Sequence, residues 1–164
     1  MDLAQIIESA SHVATTVALL FAAWQLLQTR KQAQTTFEDA IAKEYRELAS
    51  TMPTKAFLGE ELTEAEHEKA LDEFYHYFDL CNGQAFLRQI GRVRSQTWIF
   101  WCDGMRANFK RPAFKTAWEN ISRRAAGDFM ELRQLMDDFQ LDPKSRKWRR
   151  LIALQQAAAP TTVG

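Results

Sequence analysis

The feature that most constrains this chain is a stretch without charge. From Ser9 to Thr29 no residue is formally charged, with His12 neutral, a run of 21 positions in a chain of 164. At a helical rise of ~1.5 Å per residue the run reaches about 30 Å, the thickness of a bilayer's hydrocarbon core. The expectation is a single transmembrane helix over 9–29, preceded by a short exterior leader, 1–8. No Lys or Arg stands before the run, the leader carries Asp2 and Glu8, and no small-x-small cleavage site follows, so it does not read as a secretory signal. Arg30, Lys31, Lys43 and Arg46 come after it. The positive-inside rule then places everything beyond residue 30 in the cytoplasm and the N-terminus outside, which predicts an inner (cytoplasmic) membrane protein with one span. Two cysteines with no pairing pattern, Cys81 and Cys102, fit a reducing compartment.

The segment is a weak span. Its Leu, Val and Phe residues favour insertion by roughly 2–4 kcal/mol, and Ser9, Ser11, His12, Thr15, Thr16 and Gln25 oppose it by a similar amount. Projected at 100° per residue, Val13, Val17, Leu20, Trp24 and Leu27 share one face, while Glu8, Ser11, His12, Thr15 and Thr16 share the opposite one. Beside the polar stripe runs a small-residue ladder, Ala10, Ala14, Ala18 and Ala22, which lets helix backbones approach closely. The polar stripe reads either as a helix–helix seam or as the lining of a pore in a ring of identical helices, and both imply a homo-oligomer in contact with membrane lipid. A buried helix with no membrane is the third reading.

The remainder reads as helical, so the fold class is all-α. Phe37, Ile41, Tyr45 and Leu48 continue an apolar stripe along the cytoplasmic extension 30–50. A helical bundle over 51–156 follows, and 157–164 reads as a flexible tail. Within the bundle, Thr63 and Glu66 have capping-box spacing, and Leu71, Phe74, Phe78 and Cys81 form one helix side with Gly83 as a candidate kink and Gly91 as a stop. Ser95 is a candidate cap for a helix carrying Trp98, Trp101, Cys102, Met105 and Phe109. Pro112 suits the first turn of another, with Phe114, Ala117, Trp118 and Ile121 inside. Asp128 and Glu131 suggest a second capping box ahead of Phe129, Leu132, Leu135 and Phe139, and Pro143 precedes a basic last helix. Trp98, Trp101, Phe114 and Trp118 read as core.

Neutral overall charge conceals an asymmetry. Residues 1–50 are net −2, 51–83 net −6 and 84–164 net +8. Lys144, Arg146, Lys147, Arg149 and Arg150 put five cations into seven positions around Trp148. That cluster suits an anionic partner, whether lipid headgroups, RNA or an acidic protein surface. The acidic stretch from Glu60 to Asp79 has complementary charge, which would allow head-to-tail docking between copies. Catalytic signatures are lacking: the glycines are scattered, and the three histidines have no nucleophile pattern around them. Glu64-x-x-His67 and Glu73-x-x-His76 have metal-ligand spacing, but both fall on one acidic helical stretch and read as solvated faces. The expectation is no enzyme, no metal and no cofactor.

Two pieces carry a resemblance: Trp24-Gln25-Leu26-Leu27-Gln28-Thr29-Arg30-Lys31-Gln32-Ala33, and Trp98-x-x-Trp101-x-x-Gly104 followed by Arg111-Pro112-Ala113-Phe114 and Trp118. The layout resembles a group of small bacterial single-span membrane proteins with a cytoplasmic helical domain. More loosely, it is similar to pore-forming membrane proteins that accompany an RNA-targeting CRISPR nuclease, although the arginine–histidine nuclease motif reported for some of those has no counterpart here. The resemblance implies a homo-oligomeric effector that perturbs or permeabilises the inner membrane, in antiviral (phage) defence, with an RNA-guided or other defence protein as partner. The alternative is a membrane-tethered adaptor that recruits a cytoplasmic protein or RNA.

Overall fold

The computed structural model describes residues 3–158, with side chains at 15 and 17–157. Every regular element among them is helical: α1 (Leu3–Thr51), α2 (Thr54–Leu58), α3 (Glu64–Lys69), α4 (Leu71–Gln89), α5 (Ser95–Phe109), α6 (Pro112–Arg124), α7 (Met130–Asp137) and α8 (Arg146–Ala158). The chain divides into two compact units, Met1–Ala40 and Ile41–Gly164.

The transmembrane assignment is overturned. Among the described residues no helix is long and apolar enough to cross a membrane. In α1 the stretch from Val17 to Leu27 is interrupted by Gln25 and bounded by Thr15 and Thr16 before it and by Gln28, Thr29, Arg30 and Lys31 after it. Eleven residues at ~1.5 Å each cover about half of a ~30 Å hydrocarbon core. The single-span inner-membrane placement, with the N-terminus outside, is therefore withdrawn.

The second unit is built around α4. Phe74, Tyr77, Phe78, Cys81 and Ala85 recur along its length and are all buried. Helices α5, α6 and α7 lay their apolar sides on that row, and α8 packs on α7. Phe114 from α6 meets Phe74 edge-on at 5.3 Å and Tyr77 at 5.1 Å, and Phe78 stacks on Phe109 of α5 at 5.4 Å. Trp118 stands edge-on to Phe78 at 5.1 Å. Leu132 and Leu135 of α7, and Trp148 and Ile152 of α8, complete the core. Aromatic pairs at these angles add to the area they bury, because ring edges are positive and faces negative. Trp98 and Phe114 are buried as expected, whereas Trp101 and Trp118 are only half-buried.

Local signals fare unevenly. The Thr63 box is formed: the Thr63 amide donates to Glu66 Oε2 at 2.9 Å and the Glu66 amide to Thr63 Oγ1 at 3.3 Å. Pro112 opens α6 as its spacing predicts. Gly83 sits inside an uninterrupted α4, and Gly91, with φ +79°, follows its end. Ser95 does not cap α5; its hydroxyl instead accepts a bond from Arg88. The Asp128–Glu131 box is absent, because Phe129 takes a left-handed conformation (φ 59°) to bury its ring and α7 starts only at Met130. Phe139 falls beyond α7, which stops at Asp137. The short α2, closed by Gly59 at φ +81°, had no periodic signal to announce it.

Candidate interaction surfaces

The first surface grows from a buried cation. Arg88 sits near the end of α4 with its side chain almost fully enclosed. Its Nε donates to Asp142 Oδ1 at 2.9 Å and its Nη2 to Asp142 Oδ2 at 2.5 Å; Nη1 donates to the Val93 carbonyl at 2.9 Å and Nη2 also to Ser95 Oγ at 3.1 Å. One guanidinium thus ties the α4–α5 loop to the segment that precedes α8, using the bidentate geometry that suits arginine and carboxylate. Partial burial pushes the Asp142 carboxyl up, but the Arg88 hydrogen bonds, the Lys144 amide and the charges of Arg88 and Lys144 outweigh it, so the net shift is downward.

Next to this clasp, α8 is held by its tryptophan. The Trp148 amide donates to Ser145 Oγ at 3.1 Å, and its indole Nε1 donates to Gln89 Oε1 at 2.8 Å, with the ring fully buried. Burying Trp148 turns its neighbours outward: Lys144, Arg146, Lys147, Arg149 and Arg150 are all exposed. Lys144 Cε lies 3.8 Å from where a Cβ on Gly91 would stand, which sets it beside the loop that carries Arg92. The sequence-predicted cations therefore share one end of the unit, and the clasp that fixes them there, Arg88 with Asp142, was not anticipated. A separation of 54 residues leaves no periodic trace.

The second surface is apolar. Along α1, Val17, Leu19, Leu20, Phe21, Trp24, Leu26 and Leu27 are each more than half exposed. Phe21 and Trp24 stack on one another at 5.6 Å. Thr15, Ala18 and Ala22 are exposed, while the side chains of Glu8, Ala10, Ser11, His12, Ala14 and Thr16 lie outside the described residues.

A third feature is a cleft of about 410 Å³ within the second unit, walled by Tyr45 and Arg46 of α1, Tyr77 and Gln84 of α4, and Trp101 and Met105 of α5. A more polar cavity of about 430 Å³ lies between α3 and α6, next to Glu61, Glu64, His67 and Glu68. His67 leans on Phe74, ring to ring at 5.9 Å; burial lowers its pKa, with the Glu66 charge opposing. His76 is exposed, and among the described residues no group of three His, Cys, Asp or Glu is placed to hold a metal. Both cysteines are buried, and burial pushes the Cys81 thiol up to about 12. Such a thiol is no nucleophile at neutral pH.

No family model, curated protein or solved structure matches this chain. The resemblance drawn from the Trp24–Ala33 and Trp98–Trp118 pieces therefore rests on those residues alone.

Proposed function

We propose that this protein is a self-associating helical adaptor. The apolar part of α1 joins copies, and the basic surface around α8 holds an acidic partner protein. The observation that carries this reading is the exposure of seven large apolar side chains between Val17 and Leu27. Burying one such side chain favours association by roughly 1.5–3 kcal/mol, so leaving seven in water is a large standing cost that a partner relieves. Their arrangement speaks for like helices. Val17, Leu20, Trp24 and Leu27 lie on one side of α1, and Leu19 and Leu26 on the other. A helix apolar on both sides is covered by a bundle of more than two helices rather than by a single neighbour. The exposed Ala18 and Ala22 between the two faces permit close backbone approach.

On the basic surface, the complete burial of Trp148 favours a protein partner over RNA. The ring that could have stacked on an unpaired base is spent in the core, and α8 carries no second aromatic beside its cations. Four exposed arginines and lysines flanking it on α8 suit carboxylates on another protein.

Sedimentation velocity tests the assembly. The wild-type chain is expected to run as an oligomer, and Leu20→Glu with Leu27→Glu as a single chain with unchanged helicity. A single-chain mass for the wild type across the accessible concentration range overturns the reading.

A further inference from the structure

Independently of assembly, we propose that the cleft between α4, α5 and the end of α1 is a binding site for a small amphiphilic carboxylate, an organic acid with an aromatic or acyl body. All of its walls belong to the second unit. Its volume of about 410 Å³ falls in the range of roughly 300–1,000 Å³ typical of small-molecule sites. Tyr45, Tyr77, Trp101 and Met105 supply an apolar lining, and Tyr45 and Tyr77 hold one another with ring centroids 6.4 Å apart. The phenol of Tyr77 is already engaged, accepting from Asn108 Nδ2 at 2.9 Å, so it presents its ring and not a polar demand.

Two polar features make this a site and not a packing defect. Gln84 lines the cleft wall with only 4% of its surface accessible, and no hydrogen bond to a described residue holds its amide, whose polar atoms keep that small accessible surface. An amide whose polar atoms open onto a cavity and are not spent on a neighbour is a ready donor and acceptor for an occupant. The rim carries the charge signal. Asp103 is neutralised by Arg106 at 3.0 Å, whereas Arg46 is exposed and makes no ion pair with any described residue. The uncompensated rim charge is therefore positive. An apolar body inside, a hydrogen-bonding atom at Gln84 and a carboxylate at Arg46 describe the ligand.

Gly104 provides a clean block. It lines the cleft from within α5, and a Cβ built on it meets nothing within 4 Å, so a side chain there enters the cavity without displacing the wall. Titration calorimetry with decanoate and with 2-naphthoate, alongside decanol and 2-naphthol, is the test. At least one of the two acids is expected to bind saturably, one per chain. Gly104→Leu should weaken it on the order of tenfold or more while circular dichroism stays native. Arg46→Gln should weaken the acid about two- to fivefold and leave the matching alcohol unchanged. No saturable binding of either acid overturns the proposal, and so does a folded Gly104→Leu variant that binds like the wild type. Loss of binding in Leu20→Glu, with Gly104→Leu unaffected, would place the probes on α1 and also overturn it.

Discussion

The guanidinium of Arg88 grips both carboxylate oxygens of Asp142, through Nε at 2.9 Å and Nη2 at 2.5 Å. The two partners are unequally buried: the arginine side chain is 5% exposed and the aspartate 43%. Removing the acid is therefore the harsher change, because it leaves a buried cation with only Val93 and Ser95 to satisfy it. Asp142→Ala is expected to cost about 1–3 kcal/mol, less than a fully buried pair would, since solvent screens the exposed carboxylate. Thermal or urea unfolding measures it, and hydrogen exchange should show the segment before α8 losing protection first.

The same bond gives an acid limit. Asp142 ionises more readily folded than unfolded. Its contribution is therefore present above the unfolded value of ~3.9 and is lost as pH falls through the lowered folded pKa. Glu66 behaves alike: the Lys55 hydrogen bond, then the bonds from the Thr63 amide and hydroxyl, bring it down to about 2. Midpoints of urea unfolding should fall between pH 4 and 2 in the wild type. Asp142→Asn should flatten that dependence.

Thr63→Ala removes the acceptor for the Glu66 amide and one donor to the Glu66 carboxylate. A lost N-cap costs about 1 kcal/mol. The α3 segment has no buried residue of its own, so this change should fray α3 with little effect on the α4 core. Hydrogen exchange over residues 64–69, read against residues 74–85, checks the contrast.

Trp148 separates anchoring from charge. Trp148→Ala, at a fully buried position, should cost about 3–5 kcal/mol. Arg149→Glu with Arg150→Glu, both exposed, should leave stability nearly unchanged. The double variant should nevertheless abolish most of the salt-sensitive binding of an acidic peptide, followed by fluorescence anisotropy. Equal loss of stability in both variants would show the cations to be structural.

The two thiols should differ from a free cysteine in rate. Burial raises both, Cys81 to about 12, and Cys102 also donates to the Phe139 carbonyl at 3.6 Å. Labelling by a maleimide at pH 7.5 should be slow in the native protein for each and become rapid in urea.

Local order was legible along the chain because it depends on neighbours a few residues apart. The all-helical class, the Thr63–Glu66 box, Pro112 at the head of α6 and the apolar row from Phe74 to Cys81 all follow from spacing and side-chain chemistry. Spacing also misled where a tertiary demand was stronger. Ser95 was drawn from capping to Arg88, and Phe129 buried its ring at the expense of the Asp128 box. The uncharged run 9–29 met the length of a bilayer by count alone, but polar residues at both ends leave too short an apolar stretch in α1. What only the folded chain decides is which distant groups meet. Arg88 finds Asp142, Trp148 finds Gln89, and Arg46, Gln84 and Gly104 come to line one cleft. Such contacts are set by how whole helices pack, and packing matches shapes and buried charges across separations that no periodic pattern records.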